Sequence, residues 1–220
     1  MTSSMQKELV NIGLDSVQVQ GMLELPQNPI GLVLFAHGSG SSRLSPRNNY
    51  VAAVLREAKL GTLLMDLLTP QEDRSYQTRF DIPLLTQRLH AATRWARGYQ
   101  DVQSLPIGLF GASTGAAAAL QVAAIPDAAI KAVVSRGGRP DLAGPALQQV
   151  RAPTLLIVGG ADDVVIQLNR AAYAVLNCEK QLAIVPGATH LFEEPGALET
   201  VAEFAKDWFV QYLTRSVERA

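Results

Sequence analysis

The run Ile107-Gly108-Leu109-Phe110-Gly111-Ala112-Ser113-Thr114-Gly115-Ala116-Ala117-Ala118-Ala119-Leu120 holds three signals in succession. An apolar run of strand length comes first, a turn with a glycine two residues either side of a serine comes next, and a small-residue helix follows. Gly111 and Gly115 suit a sharp strand-to-helix turn, where the backbone is strained and neighbouring elements pass too close for a side chain. Ser113 is therefore expected to stand clear of the sheet at a helix N-terminus. Unpaired NH groups and the positive end of the helix dipole there can stabilise a developing oxyanion. The same five residues, taken alone, also fit a glycine-rich turn of a nucleotide-binding fold. The glycines do not follow G-x-G-x-x-G, however, and no G-x-x-x-x-G-K-[ST] occurs, so the nucleophile reading is preferred.

On either side of this run, short β-rich segments alternate with longer amphipathic ones, which predicts an α/β fold with a mostly parallel central sheet and helices on both faces. Strands are expected at 32–36, 62–65, 107–110, 132–134, 154–158 and 182–185, and helices at 49–58, 83–97, 115–124, 165–176 and 198–213. Residues 17–25 alternate apolar and polar as a half-exposed antiparallel strand would, giving a hairpin-like edge before the parallel part. Between Val134 and Thr154 the glycines and prolines leave room for at most one short helix, so no cap domain is expected. Trp95, Phe204, Trp208 and Phe209 fall at helical positions and read as core or interface. With no repeat and no shift of composition, one domain over 1–220 is the economical reading.

A serine nucleophile needs a base and an orienting carboxylate, which this strand order supplies in the sequence Ser, Asp/Glu, His. The chain has only three histidines. His190 lies in a glycine-containing loop just after the last predicted strand, where an imidazole can reach over the sheet edge. His90 falls in mid-helix and reads as a surface residue. His37 ends a central strand before Gly38-Ser39-Gly40 and reads as a brace for that loop, or as a residue near substrate. In Gly159-Gly160-Ala161-Asp162-Asp163, the spacing from the glycine turn favours Asp162 as the orienting carboxylate, with Asp163 capping a helix that starts at Val164 or Val165. The backbone NH groups of Ser39 and Thr114 are the expected oxyanion donors.

With these residues in place, the chain resembles the α/β-hydrolase superfamily over essentially its whole length: His37-Gly38, Gly111 to Gly115, Gly159 to Asp162 and His190 stand in the expected order. Within it the chain is similar to the small, capless dienelactone hydrolase-like group. The stretches 38–43, 136–141 and 190–196 further resemble a branch that some proteins carry fused to a phosphoribosyltransferase domain, for which this chain has no room. Dienelactone hydrolases proper use a cysteine where Ser113 stands, so the resemblance implies the fold and a hydrolase, not that enzyme's substrate.

Composition narrows the partners. In 220 residues, 19 Lys+Arg against 20 Asp+Glu leave a net charge of −1, and no dense basic run offers a face for nucleic acid. The opening residues 1–8 contain no apolar stretch and no later segment is apolar over a membrane-spanning length, so a cytoplasmic protein without a membrane partner is expected. No metal or organic cofactor is implied, because Cys178 is the only cysteine and has no ligand-spaced companion. Arg43, Arg47, Arg136 and Arg139 fall in loops expected near the sheet's C-terminal edge. They could receive an anionic substrate group, or pair with carboxylates such as Asp66, Asp73 or Asp141. The expected activity is hydrolysis of a small, soluble ester-type substrate through Ser113, His190 and Asp162. A thioesterase or acyltransferase, or a non-catalytic binder on the same fold, stands as the alternative, and homodimer formation is left open.

Overall fold

The structure, a computed structural model, describes residues 5–14 and 17–214; part of the opening stretch, residues 1–4, lies outside them. Eight strands form one sheet in the order β1-β2-β4-β3-β5-β6-β7-β8. The first two, β1 (Gln6–Leu14) and β2 (Val17–Leu25), make an antiparallel hairpin, and β2 joins β4 (Leu60–Met65) antiparallel. The remaining strands, β3 (Gly31–Ala36), β5 (Ile107–Ala112), β6 (Ala132–Arg136), β7 (Thr154–Gly159) and β8 (Lys180–Val185), run parallel. The expected hairpin-like edge is present, and its outer strand β1 was not foreseen. Val10, Ile12 and Leu14 of β1 point inward while the residues between them face solvent.

Every residue of β3, β4, β5, β6 and β7 is buried, as strands covered on both faces require. Side chains alternate between the two layers. Val33, Phe35, Leu64, Phe110 and Val134 pack with helices α1 (Pro46–Glu57) and α6 (Ala197–Thr214). On the other face, Leu34, Leu63, Leu109, Val133 and Leu156 meet α3 (Ile82–Gly98), α4 (Thr114–Ala123) and α5 (Asp163–Val175). A four-residue helix α2 (Tyr76–Arg79) precedes α3. Phe35 and Phe110 pack against each other across neighbouring strands with ring centroids 4.8 Å apart and ring planes tilted by 32°. Trp208 and Phe209 are core residues, Trp95 packs against the core, and Phe204 is exposed.

Between β6 and β7 the chain makes one 3-10 stretch, Pro140–Gln149, broken at Gly144. Nothing there folds over the strand ends, so the C-terminal edge of the sheet stays open. Helix α1 begins three residues earlier than expected: Ser45 caps it through a bond from the Asn48 NH to Oγ, and Pro46 takes the first helical position. No helix among the described residues is long and apolar enough to cross a membrane.

Candidate active site

Strand β5 runs two residues further than expected, through Ala112, and delivers Ser113 to the N-terminus of α4. Ser113 has φ 51° and ψ −120°, a region costly for a side chain by about 1–3 kcal/mol and sustained only by surrounding contacts. Those contacts are backbone ones. The Ser113 NH donates to the Arg136 carbonyl at 3.2 Å, and the Ser113 carbonyl accepts from Ala116 and Arg139. The flanking glycines have no room to be anything else. A Cβ on Gly111 would sit 2.4 Å from the Ala116 Cα, and one on Gly115 would sit 2.2 Å from the Ala36 carbonyl oxygen. Gly38 approaches the serine itself, its notional Cβ lying 3.0 Å from the Ser113 Cβ.

The imidazole of His190 and the carboxylate of Asp162 come from the loops after β8 and β7. His190 Nδ1 lies 2.7 Å from Asp162 Oδ2, with the aspartate side chain 15% and the histidine 40% exposed. Two close approaches hold these loops together. The Ala161 NH donates to the Ala188 carbonyl, and Gly159 passes so near that a Cβ there would be 2.3 Å from the same oxygen. This accounts for the glycine turn before the aspartates. Helix α5 starts at Asp163, one or two residues before the expected start, and Asp162 takes the N-cap position expected of Asp163. Asp162 forms no side-chain cap, and its carboxylate engages His190 instead. Beyond the histidine, the Thr189 hydroxyl donates to Glu194 Oε1 at 2.6 Å and so brackets the loop.

Ser113 and His190 line one cavity of about 200 Å³, together with Gly38, Ser39, Arg47 and Arg136. Gly137, which follows the carbonyl bonded to the serine NH, packs against the histidine: a Cβ there would lie 3.5 Å from His190 Cε1. The end of β6 is thus the link between the two halves of the site.

The other residues singled out above divide sharply. Thr114 is buried, and its Oγ1 accepts the Ser39 NH at 3.0 Å, so one of the two expected oxyanion donors is already engaged by the side chain of the other. His37 is buried with both ring nitrogens on backbone: Nδ1 lies 2.9 Å from the Gly38 carbonyl, and Nε2 accepts the Leu67 NH at 3.0 Å. Burial pushes its pKa below the ordinary histidine value. His37 braces the loop and turns no free nitrogen to the cavity. His90 is half-buried on α3.

Arg43 pairs with Asp66 at 2.6 Å and also meets Gln20, and Arg139 binds Asp141 through Nε and Nη2. Arg47 reaches the exposed Glu193 at 3.0 Å. Only Arg136 is both buried and without a carboxylate among the described residues. Burial, with repulsion from Arg47 second, lowers its pKa to about 10, which leaves it a cation at neutral pH. Its neighbours Asn48 and Phe192 escaped the sequence reading. Among the described residues no group of three or more His, Cys, Asp or Glu is arranged to hold a metal ion.

Comparison with known proteins agrees with this architecture. The model described as "Dienelactone hydrolase family" matches residues 65–214. A dienelactone hydrolase from Anabaena variabilis is 54% identical, covering 94% of this chain and 98% of its own, with a TM-score of 0.92. Est1E from Butyrivibrio proteoclasticus, at 18% identity and a TM-score of 0.79, covers 92% of this chain and 98% of its own and shares the fold. A Mycobacterium tuberculosis protein with the provisional name phosphoribosyl transferase is 57% identical over 209 residues, which are 95% of this chain and 47% of that protein. The chain therefore spans about half the length of the curated relatives it matches. On the α/β-hydrolase fold and the match over most of its length, the chain belongs to the dienelactone hydrolase family.

Proposed function

We propose that the protein is a serine hydrolase that cleaves the carboxylic ester bond of a small substrate. The observation that carries this reading is Ser113, held on a strained turn, sharing one cavity with a His190 whose Nδ1 is engaged by Asp162. With the Nδ1 proton on that bond, Nε2 is the basic nitrogen. His190 Nε2 takes the Ser113 hydroxyl proton as Oγ attacks the ester carbonyl. The tetrahedral intermediate collapses, the C–O bond to the alcohol breaks, and His190 returns the proton to the departing alkoxide. Water then repeats the sequence on the acyl-serine and releases the acid.

The oxyanion is met by the Thr114 NH, an orphan donor at the start of α4, and by the Ser39 NH, which exchanges the Thr114 hydroxyl for the substrate oxygen. A cavity of about 200 Å³ with an open edge favours small esters over long acyl chains. The half-buried lone thiol of Cys178 suits a reducing compartment such as the cytoplasm. Acyl transfer to an acceptor other than water would use the same residues.

Hydrolysis of p-nitrophenyl acetate by the purified protein tests the reading, with Ser113→Ala as its control. Turnover that disappears in the variant while the circular dichroism spectrum is kept supports it. Undiminished turnover in Ser113→Ala would refute it.

A further inference from the structure

Two non-glycine residues of the site hold a positive φ, Ser113 at 51° and Phe192 at 56°. The strain at Ser113 belongs to the nucleophile's turn. Phe192 has no part in the chemistry, and so bulky a residue keeps a left-handed backbone only where its surroundings enforce it. The ring shows what enforces it. Phe192 is 1% exposed and belongs to the same core cluster as Phe35, Phe110, Val134 and Ile157. A Cβ on Gly137 would lie 3.4 Å from its Cε2, and the Arg136 Cζ lies 5.9 Å from its ring centroid, so the ring rests against the end of β6.

The chain between this ring and β8 is short and is held at both ends. Ala188 is fully buried, and its carbonyl accepts the Ala161 NH from the loop that carries Asp162. The Thr189 carbonyl accepts the Phe192 NH at 3.3 Å, closing a turn whose two central residues are His190 and Leu191. One end of that turn is therefore tied to the loop of the carboxylate. The other is tied to the segment whose Arg136 carbonyl accepts the Ser113 NH. Gly137 lets the turn come close, since a Cβ there would lie 3.2 Å from the His190 carbonyl oxygen.

The Asp162 contact fixes one atom of the imidazole, Nδ1, and leaves the ring free to pivot about it. Where Nε2 points depends on where the backbone puts the histidine Cα. Building on the hydrolase reading, we infer that Phe192 is a positioning residue. Its buried ring, on a left-handed backbone, pins the 189–192 turn to the end of β6 and so sets His190 Nε2 against the Ser113 hydroxyl. Being buried, Phe192 acts only through the histidine.

Three variants separate placement from stability. Phe192→Ala and Phe192→Gly both remove the ring, but glycine also relieves the left-handed backbone, so the Gly variant should melt about 2–4 °C above the Ala variant. Despite that difference, both should lose about 30–100-fold in kcat for p-nitrophenyl acetate with KM within about threefold, the cost of displacing a working group by about 1 Å. Phe192→Leu keeps the core filled and should lose only about 3–10-fold. Proton NMR of the full chain reads the imidazole without turnover. The downfield signal of the Nδ1 proton shared with Asp162, identified by its absence in His190→Ala, should move in all three variants, least in Phe192→Leu. The His37 Nδ1 proton, which faces the Gly38 carbonyl, should stay in place as the internal reference.

A kcat that follows Tm through the series, with Gly faster than Ala, would make Phe192 core filling alone and overturn its positioning role. An unmoved His190 signal in the variants that fold overturns it as well. No turnover by the wild-type protein, with a His190 signal that still depends on Phe192, would remove the hydrolase reading and leave the placement of the imidazole standing.

Discussion

The turn that carries Ser113 and the loops that join Asp162 to His190 meet at one cavity, but they are built by different means. The turn lies at the centre of the sheet, among buried strands, and backbone contacts with β3, β6 and α4 leave it no alternative shape. The Asp162–His190 arm lies on the two outermost parallel strands, with the histidine side chain 40% exposed, and depends on one loop passing close to another. In the proposed enzyme, the nucleophile is placed by the fold itself, while its base is placed by a loop-to-loop contact that can be disturbed without unfolding the protein.

Substitutions can separate the two regions. His190→Ala should cost the most, lowering kcat by about 10⁵–10⁶-fold, with p-nitrophenyl acetate turnover as the measurement. Asp162→Asn keeps the shape of the arm but loses the carboxylate that fixes the imidazole tautomer. A fall in kcat of about 10⁴-fold is expected from steady-state kinetics. A loss below tenfold would show that the 2.7 Å contact does not orient a working base.

Gly115→Ala and Gly159→Ala compare the regions directly, since each added Cβ would meet a backbone carbonyl at 2.2 or 2.3 Å. At Gly115 the clash falls within the core and should appear in thermal melts as a loss of about 3 kcal/mol or more, a Tm drop of about 6–12 °C. At Gly159 the outer loop can give way. The expected result is a smaller Tm change, with kcat reduced by about 10–100-fold as His190 moves from its working position. Equal Tm losses with unchanged kcat in Gly159→Ala would erase the distinction between the two regions.

His37 supplies the smallest effect. Its folded-state pKa lies below the ordinary histidine value because of burial, so below about pH 6.5 the unfolded chain takes up a proton that the native state resists. Stability should therefore fall as the pH drops through that window, by up to about 1.4 kcal/mol per pH unit from this one group. In urea titrations between pH 7 and 5, His37→Gln should show a shallower dependence than the wild type.

Much of the turn could be read from sequence because its determinants are neighbours: a strand, two glycines and a helix start lie within nine residues of Ser113. The parallel strands were legible for the same reason, each being a continuous apolar run. Strand β1 was missed because its first four residues are exposed, and only Val10, Ile12 and Leu14 carry an inward alternation. The N-cap was assigned to Asp163 because capping is a local preference, whereas the carboxylate of Asp162 is claimed by a histidine 28 residues away. Arg43 and Arg139 had their carboxylates named among the alternatives. Arg136 could not be told from them, since its isolation follows from Asn48 and Phe192, 88 and 56 positions distant, which chain order does not bring together.

The central claim is that Ser113 is an activated nucleophile, and labelling with a fluorophosphonate probe followed by peptide mass spectrometry tests it most directly. A single adduct is expected on the peptide containing Ser113, absent in Ser113→Ala and formed far more slowly in His190→Ala. No adduct on the folded wild-type protein, or one formed equally fast without His190, would contradict it.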